Sequence, residues 1–232
     1  MTETIRDQIL RLLREKSGMK QDVFKNTIEV FEELKKCISD ISGDFGSEIS
    51  KLDKRVSIDC KFTGDYQAEM KVAGDMLVFF MHTNVFEFDK SHPMFKTGYI
   101  KENEYNSYCG ILYVYNFLAD SFKYNRLADS GHLIARIFIN REKKFFMESR
   151  PPLGVKYANF SSNPITEVEL REIVYELALF AITFDLMTPP AEMVREISVN
   201  ELFERVQSDK LRTGKRLGFR FQSDERIGDA IG

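Results

Sequence analysis

The chain has 232 residues, a net charge near −3, 43% apolar residues, and 20 Phe and nine Tyr with no Trp. That length and apolar share predict one large domain, or a domain with a helical appendage, with an aromatic-rich core, and exclude a chain too polar or too short to bury one. The three scattered cysteines (Cys37, Cys60, Cys109), the charged Met1–Lys16 segment without a signal-peptide core, and apolar runs of at most five to six residues predict a soluble, cytoplasmic protein.

Residues 3–16 predict an amphipathic helix with Ile5, Ile9, Leu12 and Leu13 on one face, interrupted by Ser17-Gly18. A longer helical pattern follows: Phe24, Ile28, Phe31, Leu34, Ile38, Ile41, Phe45, Ile49 and Leu52. Steps of three and four make this one stripe of about four heptads. Gly43 and Gly46 predict a break or kink in it. Such a stripe has two uses. It covers a sheet, or it pairs with a second copy of itself.

Between Arg55 and Val72 the pattern changes to period two. Val56, Ile58, Cys60 and Phe62 alternate with Ser57, Asp59, Lys61 and Thr63. Beyond Gly64-Asp65, Tyr66, Ala68, Met70 and Val72 alternate with Gln67, Glu69 and Lys71. This is a half-buried β-hairpin. Residues directly opposite must share a face, so a two-residue turn would set Asp59 against Met70 and mismatch the whole ladder. A three-residue loop, Gly64 to Tyr66, sets Asp59 against Lys71 and Lys61 against Glu69.

Met76 to Met81 is continuously apolar and predicts a strand buried on both faces, followed by Val85, Phe86 and Phe88. Residues 89–107 read as a long polar connection, Ile111 to Leu118 as a strand, and Leu133–Ile139 with Lys144–Glu148 as a second hairpin. Arg150-Pro151-Pro152 ends the sheet. A helix capped by Asn163 or Thr166 then runs to Met187, and Thr166 with Glu169 makes a capping box. Its apolar Leu177–Ile182 core predicts burial between two layers. A short helix at 191–196 and a Ser198-capped helix to Val206 follow, and the tail alternates at Leu217, Phe219 and Phe221.

One spacing resembles catalytic chemistry. Nucleases of the PD-(D/E)xK type place an Asp on one strand and Glu-x-Lys on the next; the carboxylates hold a divalent metal and the Lys helps position the attacking water. Asp59, Glu69 and Lys71 resemble that order, and Glu48 or Asp53 would complete the cluster. The pattern departs from the family in two ways: no Pro precedes Asp59, and a strand follows where a helix is expected. The same residues also read as alternating charges on a solvated sheet face. His82, His92, His132 and Cys109 show neither CxxC nor HxxxH spacing, so no metal site is expected. Gly214-Lys215-Arg216 lacks the Walker spacing, and neither GxSxG nor GxGxxG occurs, so no cofactor is expected.

Charge is divided sharply near the C-terminus. From Ile165 to Glu204 nine acids stand against two Arg, about −7, and from Arg205 to Arg220 six bases stand against Asp209, about +5. Lys210, Arg212, Lys215, Arg216 and Arg220, interleaved with Phe219 and Phe221, form a candidate binding segment. Nucleic acid is one ligand for it. The alternative is that the two segments neutralise each other, within one chain or across a dimer.

These readings predict an α+β fold in which helices from the N- and C-terminal thirds cover a mainly antiparallel sheet of five or six strands. The expected organisation is a helical segment at 1–54, a sheet region at 55–150, and C-terminal helices with a basic tail at 151–232, together one globular domain. The order helix, antiparallel sheet, helix is similar to that of secretion-chaperone-like partner-binding folds. The functional expectation is a non-enzymatic interaction, regulatory or adaptor protein. Its partner would be another protein or a second copy, with no membrane involved, met through residues 19–52 and 205–222.

Overall fold

The computed structural model describes residues 3–185 and 198–200. Thr4 caps helix α1 (Ile5–Leu12), its hydroxyl accepting the Asp7 amide at 3.2 Å. Ser17-Gly18 do not interrupt the helical run. The backbone passes through a π-helical stretch, Leu13–Ser17, directly into α2 (Gly18–Leu52). Nor does α2 break at Gly43 or Gly46. It continues for 35 residues, about 50 Å at the usual rise. Gly46 serves close approach instead: a Cβ there would stand 2.8 Å from the Ile58 carbonyl oxygen.

Seven strands follow: β1 (Ile58–Thr63), β2 (Gln67–Val72), β3 (Asp75–Met81), β4 (Phe86–Glu87), β5 (Tyr108–Leu118), β6 (His132–Asn140) and β7 (Phe145–Ser149). Six of them form an antiparallel sheet in the order β1-β2-β3-β5-β6-β7, and the two-residue β4 pairs with β5 beyond the end of β3. The fold is α+β, as the sequence pattern predicts. The opening hairpin has the expected register, with Asp59 opposite Lys71, Lys61 opposite Glu69, and a three-residue loop. Gly64 supplies the left-handed residue at φ 62°.

Short helices α3 (Gly98–Glu102), α4 (Ala119–Lys123) and α5 (Leu153–Lys156) fill connections, and α6 (Glu167–Thr183) follows. The predicted capping box opens α6, with the Thr166 amide donating to Glu169 Oε2 at 2.7 Å and the Glu169 amide to Thr166 Oγ1. One face of the sheet carries Met70, Leu77, Phe79, Leu112, Val114 and Ile137. These bury against Phe31, Leu34, Ile38 and Ile41 of α2 and Leu170, Ile173, Val174 and Leu177 of α6. Each large side chain so buried contributes roughly 1.5–3 kcal/mol of transfer free energy. Gly110 on β5 lets α2 descend onto the sheet, since a Cβ there would meet Thr27 Oγ1 at 2.1 Å.

The second sheet face is only partly covered. β3 is therefore buried on its second side only in part: Leu77, Phe79 and Met81 are sealed beneath the helices, while on the other side Val78 is buried, Met76 half-buried and Phe80 exposed. Residues 89–107 fold into two 3₁₀ turns and α3 rather than an irregular loop. Met94 from this segment packs with Cys109, Ile111, Phe138, Phe146, Phe88 and Phe160 to form a second, smaller core over one end of that face.

Candidate interaction surfaces

Asp59, Glu69 and Lys71 share one face of the hairpin, as their register requires, with Asp59 exposed, Lys71 half-buried and Glu69 buried. Their hydrogen bonds run elsewhere. Lys71 Nζ donates to Ser57 Oγ at 2.7 Å, and Glu69 Oε1 accepts from Gln67 Nε2 at 2.8 Å. Asp53, offered from sequence as a further acid, is held by Arg55 at 2.6 Å, which depresses its carboxyl pKa. Among the described residues no three His, Cys, Asp or Glu side chains come together as a metal cluster. The hairpin face has the form of a polar, hydrogen-bonded sheet surface.

The histidines are dispersed into local structural tasks. His82 lies edge-on to Phe86 with ring centroids 4.7 Å apart, and its Nδ1 accepts the Asn84 amide at 3.0 Å. His92 caps the Pro93–Lys96 turn through Nδ1 and sets Nε2 3.6 Å from Glu148. Burial lowers the pKa of His132, and Cys109 is fully buried, which pushes its thiol well above its ordinary value.

The surface that sequence reasoning did not locate is α1. Ile5, Ile9, Leu10, Leu12 and Leu13 are all exposed, Ile5 to 78%, and α1 contains no buried residue. A helix of this length is marginal alone in water. It is held here by continuity with α2, whose first turns are fixed to the body. Met19 and Val23 pack on Tyr108, Val85 and Tyr105. Lys16 and Lys20 stand 5.4 and 5.5 Å from the Tyr108 ring centre, and the Tyr108 hydroxyl donates to Glu87 at 2.6 Å. That hydrogen bond lowers the Glu87 pKa, while burial raises that of Tyr108. Beyond this anchor the helical run carries its apolar stripe into solvent.

The expected interface at residues 19–52 is largely spent inside the subunit. Val23, Val30, Phe31, Leu34, Cys37, Ile38 and Ile41 are buried, and only Phe45 and Leu52 at the far end are exposed large apolar residues. The α6 expectation is also corrected. Leu170, Ile173, Val174 and Leu177 face the sheet, but Val168, Tyr175, Leu179 and Ile182 are exposed, so the helix is buried on one side only. At its C-terminal end a pocket of about 150 Å³ opens between Ile134, Pro151, Leu179, Phe180 and Thr183. The bulge in β6 that leaves Ile134 outside the ladder delivers this side chain there.

The predicted helices at 191–196 and from Ser198 to Val206 lie outside the described residues, apart from 198–200. The helix expected to reach Met187 ends at Thr183, where the Phe184 backbone turns extended. Lys210, Arg212, Lys215, Arg216 and Arg220 lie outside them too. Among the described residues no helix is long and apolar enough to cross a membrane. Compared with known protein families, curated proteins and solved structures, the chain finds no match.

Proposed function

We propose that this chain is a protein-interaction module, adaptor-like or chaperone-like rather than enzymatic, which associates with a second copy of itself through the apolar stripe of α1. The observation that carries this reading is the exposure of Ile5, Ile9, Leu12 and Leu13 on a helix already ordered by its fusion to α2. A preformed helix loses little conformational freedom on docking, so more of its apolar burial remains as affinity. Packing such faces together is the standard use of steps of three and four.

Magnitudes set the expected strength. Five large apolar side chains buried at roughly 1.5–3 kcal/mol each offset an association cost of about 4–15 kcal/mol. Three free cysteines, two of them fully buried, support a reducing, cytoplasmic setting for this contact.

Light scattering across a concentration series, on wild type and on Ile9→Asp combined with Leu13→Asp, tests the proposal. Wild type is expected to rise above monomer mass with concentration while the variant stays monomeric and melts at the temperature of dilute, monomeric wild type. A wild type that remains monomeric throughout contradicts it.

A further inference from the structure

The outer side of α6 is a surface of a different kind. Val168, Tyr175, Leu179 and Ile182 follow one another at steps of seven, four and three, and all four are exposed, Val168 to 75%. Phe45 of α2 continues the stripe, its ring 5.7 Å from Tyr175. Acids border it. Asp40 of α2 and Glu167 of α6 reach toward Arg171 at 3.7 and 3.9 Å with side chains 62% and 70% exposed, and Glu176 stands at the pocket rim. The stripe is apolar, acid-rimmed, and ends in a pocket of about 150 Å³. Its lining mixes apolar Leu177, Leu179 and Phe180 with Ser149, Arg150 and Glu176.

The same chain carries a segment of matching chemistry. Residues 205–221 hold six bases against one acid, with Leu211, Leu217, Phe219 and Phe221 among them. About twenty residues separate Thr183 from Arg205, and an extended chain covers up to about 3.3 Å per residue, so the span exceeds the roughly 20 Å length of the stripe several-fold. We propose that residues 205–221 dock on the α6 stripe of their own chain, with Phe219 or Phe221 in the pocket and the Lys and Arg side chains against Asp40, Glu167 and Glu176. The charge division of the C-terminal third then has a structural cause. The acidic surface and the basic segment form two halves of one intramolecular contact, independent of the α1 surface.

Photo-crosslinking of the full chain tests this. A benzophenone maleimide is attached to Leu179→Cys in a Cys60→Ser background, where the native Cys37 and Cys109 are buried. After irradiation, peptide mapping is expected to place the adduct within residues 205–221 of a species of monomer mass. Phe219→Ser with Phe221→Ser is expected to abolish it. Val168→Cys, at the other end of the stripe, repeats the measurement should Leu179→Cys disturb the fold. An adduct on residues 205–221 at dimer mass assigns the stripe to a second copy and overturns the proposal. So does an adduct confined to other segments, or none at all.

Discussion

In α1 and at the first π-helical residue after it, Ile5, Ile9, Leu12 and Leu13 stand in solvent, whereas in α2 Leu34, Ile38 and Ile41, at the same steps of three and four, are fully buried. The two stripes belong to one helical run joined by a π-helical stretch, with similar side chains on each. What separates them is the ground beneath. From Met19 onward the run lies over Tyr108 and then the sheet, and Gly110 and Gly46 bring α2 close to β5 and β1. Before Lys16 nothing among the described residues lies under the stripe. Burial here is a property of the contact, and the helix pattern alone does not decide it.

The largest expected effect breaks the comparison from the α2 side. Phe31→Ala removes a fully buried ring from the main core and is expected to destabilise by about 3–5 kcal/mol, read by denaturant unfolding. A loss under about 1 kcal/mol would mean that α2 is not seated on the sheet as described. On the α1 side, Ile9→Asp with Leu13→Asp is expected to leave the unfolding midpoint of the monomer within about 0.5 kcal/mol of wild type.

Two glycines in the C-terminal half of α2, Gly43 and Gly46, sharpen the contrast. Gly46→Ala drives a methyl toward the Ile58 carbonyl, a backbone atom that cannot swing away, and is expected to destabilise by about 1–3 kcal/mol. Gly43→Ala meets nothing within 4 Å and gains helix propensity, so it is expected to stabilise by about 0.4–1 kcal/mol. Equal effects from the two substitutions would remove the assigned contact between α2 and β1.

The smallest effect is electrostatic. Lys143, through its hydrogen bond and then its charge, lowers the Glu29 pKa and ties α2 to the β6–β7 turn at 2.7 Å. Lys156 lowers the pKa of Glu172 in the same manner and links α5 to α6. In both cases the folded value lies below the ordinary 4.5. The stabilisation is therefore fully present above that value and is lost as pH falls through the folded one. Thermal melts are expected to decline from about pH 6.5 downward as His132, whose pKa burial lowers, is called on to charge. They are expected to drop further below about 5, with a shallower acid drop in Glu172→Gln. An unchanged acid slope in that variant would contradict this assignment.

The hairpin was legible in the sequence down to its register, because period two and a single mismatch argument leave one loop length. The α6 capping box was legible for a similar reason: both partners lie three residues apart. The outward stripe of α6 was not, since an apolar helix reads the same with one covering layer or two. Gly46 was misread because a glycine that permits close packing and one that breaks a helix look identical until the Ile58 carbonyl is in place. Asp59, Glu69 and Lys71 were placed correctly on one face, but their hydrogen-bond partners, Ser57 and Gln67, emerge only from the side-chain geometry.

The account stands most directly on the mass of the protein in solution. Light scattering from micromolar concentration upward is expected to show wild type assembling beyond a monomer, and Ile9→Asp with Leu13→Asp remaining monomeric with the melting temperature of dilute wild type. A wild type that stays monomeric across the series, or a variant that assembles as wild type does, would contradict the assignment of α1 as the contact surface.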